Sequence, residues 1–408
     1  MQEIFREGLP FFTVDLPGVG GQIKQFNEDF VVEEIPLYRP SGEGTHAYFA
    51  IEKQGLTTLA AIKQVANALG KPSREIGYAG LKDAHGITRQ MFSVEHVDPQ
   101  RVADLSFARI KVLSVSRHTN KLKLGHLAGN RFIIKTRDSA PSATPKAEAV
   151  LERLMARGVP NYFGPQRFGA RGDNGQIGRA VLCEDYEKAI ALILGRLGPF
   201  DHGRVRQARE LFESGDLHAA LSAWPPAFRE QIRVCREMVR TGGDARRAWE
   251  ATDRTLRKLY VSACQSELFN RVVAVRITGL HRLETGDLAY KHANGACFRV
   301  EDAAVEQPRC DAFEISPTGP LFGPRMTEPF GRPRDRELNV LADAGLTRGL
   351  NQSKHRDSPP GGRRPLRVPI GEPELDAGSD DRGAFLRLRF TLPAGAYATN
   401  VTREVCKA

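Results

Sequence analysis

The spacing of apolar residues changes character twice along this 408-residue chain, and that limits its folds more than any other feature. In the first third, short apolar runs alternate with one clear helical stretch. Residues 46–52 read as a strand. Thr57 or Thr58 then caps a helix whose apolar positions, Leu59, Ile62, Val65, Ala66 and Leu69, share one face, and Gly70 stops it. Residues 90–97, 109–115, 121–127 and 131–135 are further strand candidates, with Gly129-Asn130 as the hairpin turn between the last two. Residues 138–145, rich in Ser, Pro and Ala, read as a loop. From 146 to about 249 the pattern is mostly helical, and 261–277 is another long amphipathic helix. Beyond it, 318–336 reads as an extended connection and 354–369 as a basic Pro/Gly-rich loop. A last strand follows at 386–392. There Leu386, Leu388, Phe390 and Leu392 face one way, and Arg387, Arg389 and Thr391 the other. Sheet-like ends around a different middle are the pattern of one domain inserted into another.

The length suggests two domains, and a 41% apolar share is enough for a sizeable core. No stretch approaches the roughly 18 uninterrupted apolar residues of a membrane span. Residues 1–9 carry charges and lack the apolar run of a secretory signal, so a cytoplasmic protein is expected. The six cysteines, Cys183, Cys235, Cys264, Cys297, Cys310 and Cys406, form no CxxC pair, and no His cluster has zinc spacing. Reduced thiols are therefore expected, and no bound metal. The net charge of +10, spread along the chain, suits a phosphate-rich partner.

The most informative segment is residues 77–90, GYAGLKDAHGITRQ. Gly80 and Gly86 bracket a short polar stretch, so Lys82 and Asp83 sit on a turn. Catalytic groups often occupy such loops between rigid elements. On composition alone, a solvent-facing turn with a Lys–Asp pair is the simpler reading, because Asp is a standard turn residue.

The segment resembles the signature of the TruD pseudouridine synthases, in which a Gly–x–Lys–Asp stretch carries a nucleophilic aspartate. Residues 26–34 (FNEDFVVEE) resemble the family's "EDFxVxE" strand, and 129–132 (GNRF) its "GNxF" motif. Residues 161–169 (NYFGPQRFG) are similar to "NYFGxQRFG", and 262–271 (SACQSELFNR) to a helix of the family's inserted domain. Residues 392–404 resemble "LPxGxFATxxxRE". The blocks occur in family order and cover nearly the whole chain.

The resemblance implies an α+β protein with the pseudouridine synthase fold, a mixed and largely antiparallel sheet with flanking helices. Into it an α/β domain is inserted. The expected division is 1–159 and 347–408 for the catalytic domain and 160–346 for an RNA-gripping insertion. The implied activity is isomerisation of a tRNA uridine, at position 13, to pseudouridine by a monomer. Asp83 would be the nucleophile and Lys24 its cationic partner. Phe30 and Tyr397 would flank the flipped base, Asn130 would hydrogen-bond it and Phe132 would lie close by. Lys82 would meet substrate, with a phosphate as its candidate partner.

The residues fit this chemistry. An aspartate is ionised at neutral pH, its reference pKa being about 3.9, and it can attack an electrophilic carbon. Ribose C1′ and uracil C6 are both open to attack. Isomerisation needs no redox change and no donated group, so no cofactor is expected. The chain departs from the family pattern at Tyr397, where Phe is usual, and at Ala84, where a basic residue is common; His85 follows it, most simply as a structural histidine. The alternatives are a non-catalytic tRNA-binding protein, which would not need Asp83, Asn130 and Phe30 together, and a methyltransferase, for which a Gly-rich cofactor motif is lacking.

Overall fold

The computed structural model describes residues 8–139, 143–199, 201–346, 357 and 359–407. The chain divides into two compact units. One comprises Phe11–Val159 and Val368–Ala408; the other comprises Pro160–Arg367 with the described N-terminal residues up to Pro10. Among the described residues no helix is long and apolar enough to cross a membrane.

The first unit is built on a mixed sheet. Its strands run in the order Gly371–Asp380, Gly383–Pro393, Leu127–Arg137, Phe30–Pro36, Ile87–Glu95, His46–Gln54 and Ile110–His118. Two short strands join it: Gln22–Ile23 on the Leu127 strand and Gly77–Tyr78 on the Ile87 strand. Every pairing is antiparallel except that of Phe30–Pro36 with Ile87–Glu95, which is parallel. Helix Thr58–Leu69 starts where its sequence says: Thr57 Oγ1 accepts from Ala60 N at 3.1 Å, and Gly70, at φ 69°, ends it in the left-handed conformation. Its Ala61, Ile62, Val65, Ala66 and Leu69 pack on Phe49, Ile51, Phe92 and Val94 of the sheet. This apolar face anchors the strands that carry the site.

Several expectations need correction. Residues 121–126 are not a strand, and Gly129-Asn130 is not a turn: both lie inside the single long strand Leu127–Arg137. Gly129 is needed there for close approach. It faces Ile35 on one side and Pro393 on the other, and a Cβ at this position would run into the Leu392 carbonyl oxygen. The expected loop at 138–145 is already helical from Ala143, while residues 140–142 lie outside the described residues. The outward face of the last strand is not a free arginine stripe. Arg387 pairs with Asp376 at 2.7 Å and Arg389 with Glu374 at 2.5 Å, both on the antiparallel neighbour Gly371–Asp380.

The second unit is mostly helical between Asn174 and Val275. Helix Arg254–Val275 runs through its core, and Trp224, Val234, Cys235, Trp249 and Tyr260 gather in one apolar cluster. A small sheet follows, ordered Cys297–Arg299, Leu288–Lys291, Ile315–Leu321 and Gly362–Pro365. The expected connection at 318–336 therefore holds a strand end and the start of helix Gly331–Asp343. Its prolines masked the strand. Pro317 contributes only its carbonyl, which takes Leu366 N at 2.9 Å. The expected loop at 354–369 holds strand Gly362–Pro365, while 354–356 and 358 lie outside the described residues. This strand pairs with Ile315–Leu321, so the return to the first unit comes after Arg367, whereas the sequence reading placed it after Leu346.

Candidate active site

Residues 79–86 form an irregular segment between strands Gly77–Tyr78 and Ile87–Glu95. It is pinned along its length. Gly80 O accepts from Gln90 Nε2 at 3.4 Å, and Lys82 N donates to Thr58 Oγ1 at 2.8 Å. The Thr58 hydroxyl in turn donates to Gln90 Oε1 at 3.0 Å. At the far end Gly86 N donates to Asn27 Oδ1 and Gly55 N to Gly86 O, both at 3.1 Å. Gly86 has φ 144°, and a Cβ there would strike the Phe30 carbonyl oxygen. The segment is thus a loop fixed by hydrogen bonds from the first residue of the helix, from the strand that follows it, and from Asn27 and Gly55 beside two further strands.

Asp83 and Lys82 leave this segment toward different partners. Asp83 Oδ2 lies 2.9 Å from Lys24 Nζ, with side chains 21% and 23% exposed. Lys24 has a left-handed backbone, φ 60°, which costs a non-glycine residue about 1–2 kcal/mol. Its ammonium also stands 4.0 Å from the centroid of the Phe30 ring, a cation–π contact. Phe30 is buried and meets Phe132 at a centroid distance of 6.4 Å; Phe132 meets Phe390 at 5.5 Å. These rings form a continuous apolar row beneath Lys24.

Lys82 turns inward. Its Nζ lies 2.8 Å from Glu34 Oε2, with side chains 5% and 2% exposed, and donates to Asn130 Oδ1 at 2.8 Å. A buried ammonium must be met by charge or dipoles, and here both are present. Glu34 and Asn130 are direct partners across the antiparallel ladder. The expectation that Lys82 meets substrate or phosphate does not match this inward position. Tyr397, half-buried, is the N-cap residue of helix Ala398–Cys406, beyond a strand whose Leu392 pairs with Asn130. The structure thus brings Lys24, Phe30, Lys82, Asp83, Asn130 and Phe132 into one connected group. Tyr397 follows five residues after Leu392, the partner of Asn130 on the neighbouring strand. His85 is exposed and lines a depression of about 360 Å³ with Lys24, Gln25, Phe26, Asn27, Glu28 and Arg382.

Sequence reasoning missed Glu34, Lys53 and Thr58. The signal was period-2 alternation. Glu34 continues the inward face of Phe30 and Val32, and Lys53 that of Phe49 and Ile51. Lys53 is 1% exposed and donates to Leu56 O at 2.5 Å and to Asp83 O at 2.9 Å. It therefore holds the backbone of the very residue whose side chain Lys24 holds.

Burial lowers Lys53 from the ordinary lysine value of 10.5 to about 8, against the attraction of Asp83 and with the repulsion of Lys82. Between about pH 8 and 10.5 the unfolded chain keeps a proton that the folded chain has released. Stability attributable to Lys53 therefore rises with pH across that window. We expect the unfolding free energy of the native protein to gain on that of a Lys53→Met variant over this range. Parallel pH curves from urea titrations would show that Lys53 keeps its charge.

With this geometry in place, comparison with known proteins gives a consistent picture. The family model described as tRNA pseudouridine synthase D (TruD) matches residues 7–405. The chain is 48% identical to tRNA pseudouridine synthase D of Geobacter sulfurreducens, over 97% of this chain and 96% of that one. It is 38% identical to tRNA pseudouridine synthase D of Thermus thermophilus, over 100% and 95%. Among solved structures, tRNA pseudouridine synthase D of Methanosarcina mazei matches with TM-score 0.83 and 27% identity, covering 100% of this chain and 98% of that one. From the segment around Asp83 to the full-length match in sequence and fold, the chain belongs to the TruD family of tRNA pseudouridine synthases.

Proposed function

We propose that this protein isomerises uridine 13 of tRNA to pseudouridine, with Asp83 as the nucleophile. The observation that carries this reading is the Asp83 carboxylate, partly exposed and held at 2.9 Å by Lys24 on a loop fixed on both sides. The names of its relatives supply the substrate class. Attack by Asp83, at ribose C1′ or at uracil C6, allows the N1–C1′ bond to break. The uracil turns, C5 bonds to C1′, the carboxylate leaves, C5 loses its proton and N1 gains one. Substrate and product are isomers, so no electron acceptor or group donor enters. Every group invoked belongs to one chain, which fits a monomer, and the tRNA substrate fits work in the cytoplasm.

The base must leave the RNA stack to reach Asp83. Phe30 and Phe132 make the floor of its site, and Tyr397 stacks on it. Tyr397→Phe should keep most activity. Tyr397→Ala should lose a stacking contact, about 1–3 kcal/mol, read as kcat/KM. Equal loss in both variants would assign the role to the hydroxyl.

The inserted unit grips RNA mainly through phosphates. Residues 160–367 hold 33 Lys and Arg against 26 Asp and Glu, so +7 of the chain's +10 lies there. Its NYFG segment acts inside the unit: Asn161 and Tyr162 are buried, and Asn270 exchanges two hydrogen bonds with the Phe163 backbone, at 2.8 and 3.0 Å. Log affinity for tRNA should fall with log salt by roughly 0.7 to 0.9 per phosphate contact. A flat dependence up to physiological ionic strength would remove the phosphate account.

The nucleophile is tested by Asp83→Asn, which keeps shape and removes charge. Turnover should fall by about a thousandfold or more, because a reaction path is lost and not one contact. tRNA affinity should change little. Pseudouridine mapping in cells lacking the gene, complemented with either form, tests the position: uridine 13 should stay unmodified with Asp83→Asn. Normal pseudouridine yield from the purified variant would sink the assignment.

A further inference from the structure

Lys82 and Asn130 meet in a way that fixes what Asn130 can read. An ammonium has three protons to give and no lone pair to offer. Asn130 therefore faces Lys82 with its oxygen, as the 2.8 Å contact of Nζ with Oδ1 shows. Lys82 Nζ is also paired with Glu34 Oε2, 2.8 Å away on a side chain 2% exposed, and Glu34 Oε1 takes Met91 N at 3.2 Å. The side-chain amide is planar, so holding Oδ1 on Lys82 turns Nδ2 to the opposite side. Among the described residues Nδ2 makes no hydrogen bond, and the Asn130 side chain is half-buried. Its two protons are the polar group left to meet a ligand.

From this we infer that Glu34 and Lys82 are specificity-determining positioning residues: they hold Asn130 as an obligate donor, which selects uracil over cytosine at the exocyclic group on C4. The inference rests on the proposed function, because Asn130 must face the flipped base. Uracil carries a carbonyl oxygen at C4, which accepts, and cytosine carries an amino group, which donates. Both bases carry O2, and at N3 uracil donates where cytosine accepts, so a donor favours uracil over cytosine only at position 4. Without Lys82 the amide would be free to turn over and present its oxygen, and selectivity would go.

The pair Glu34–Lys82 is well placed for this. It is buried, so water does not compete for the Asn130 oxygen. Glu34 is the cross-strand partner of Asn130, so the sheet register itself sets the spacing of the three groups. Lys82 also sits next to Asp83 in the chain, so the residue that orients the reader and the proposed nucleophile are placed by one loop.

The test compares tRNA carrying uridine or 4-thiouridine at the target position, with cytidine-substituted tRNA as a competitor. Sulfur is a poor acceptor, so the native protein should convert the 4-thio substrate about tenfold less well, the size of one neutral hydrogen bond. Cytidine-substituted tRNA should compete more weakly than the uridine form. Asn130→Asp keeps an oxygen on Lys82 and presents an oxygen outward. It should lose uridine turnover by at least about tenfold, and the cytidine form should become the tighter competitor. Removing Glu34 and Lys82 together (Glu34→Leu with Lys82→Met) leaves no unpaired buried charge, so the fold should persist. In that variant the uridine-to-4-thiouridine ratio should shrink toward one, whatever happens to the absolute rate. General structural damage would lower both substrates alike and leave the ratio in place. A native ratio near one, or an unchanged ratio in the double variant, would overturn the inference. Failure of the proposed function looks different: the native protein would then make no pseudouridine from the uridine substrate.

Discussion

Charge buried beneath the Asp83 loop has to be met by other charge or by fixed dipoles, and that requirement arranges this site. Glu34, Lys82 and Lys53 all lie inside the sheet unit with little exposure. None could stay there alone. Glu34 and Lys82 form an ion pair at 2.8 Å, with Met91 N donating to Glu34 and Lys82 donating to Asn130. Lys53 is satisfied by two backbone carbonyls, one of them that of Asp83. The position of Asp83 is thus a consequence of where two lysines must put their protons.

The same logic explains why a loop can hold chemistry in place. A segment lacking sheet pairing between residues 79 and 86 would ordinarily be loose. Here Thr58, Gln90, Asn27 and Gly55 bind its backbone, and these partners stand on or beside a helix cap and three strands. The rigid part is itself anchored by charge. Asp29, fully buried, takes two Arg137 nitrogens at 2.7 and 2.9 Å, and Arg137 reaches on to Asp380. That bidentate pair ties the approach to the Phe30 strand to the central Leu127 strand.

Electrostatics outside the site divide by unit. The sheet unit neutralises its outward arginines locally, through the ladder of Glu374 and Asp376 against Arg389 and Arg387. Most of the excess positive charge lies in residues 160–367. An arginine stripe in a strand is therefore a poor guide to a nucleic-acid surface until the facing strand is known. The net excess of a folded unit is the better guide.

The sequence by itself determined the elements whose signals are local. Helix Thr58–Leu69 carries its cap, its apolar face and its stop within a few turns of chain, and the last strand carries its own alternation. The segment around Asp83 was legible because glycines and charge stand out against apolar neighbours. Tertiary structure alone decided what depended on distant partners. Gly129 looked like a turn because glycine usually marks one, yet it lies in mid-strand, where the backbone of Leu392 comes too close for a side chain. Strand Gly362–Pro365 has no strong period of its own and exists through its pairing with Ile315–Leu321. The inward turn of Lys82 likewise follows from Glu34 and Asn130, 48 positions each from Lys82 along the chain and opposite one another across a ladder. Local pattern fixes what a residue prefers; a long-range contact, met only after folding, fixes which of its preferences is used.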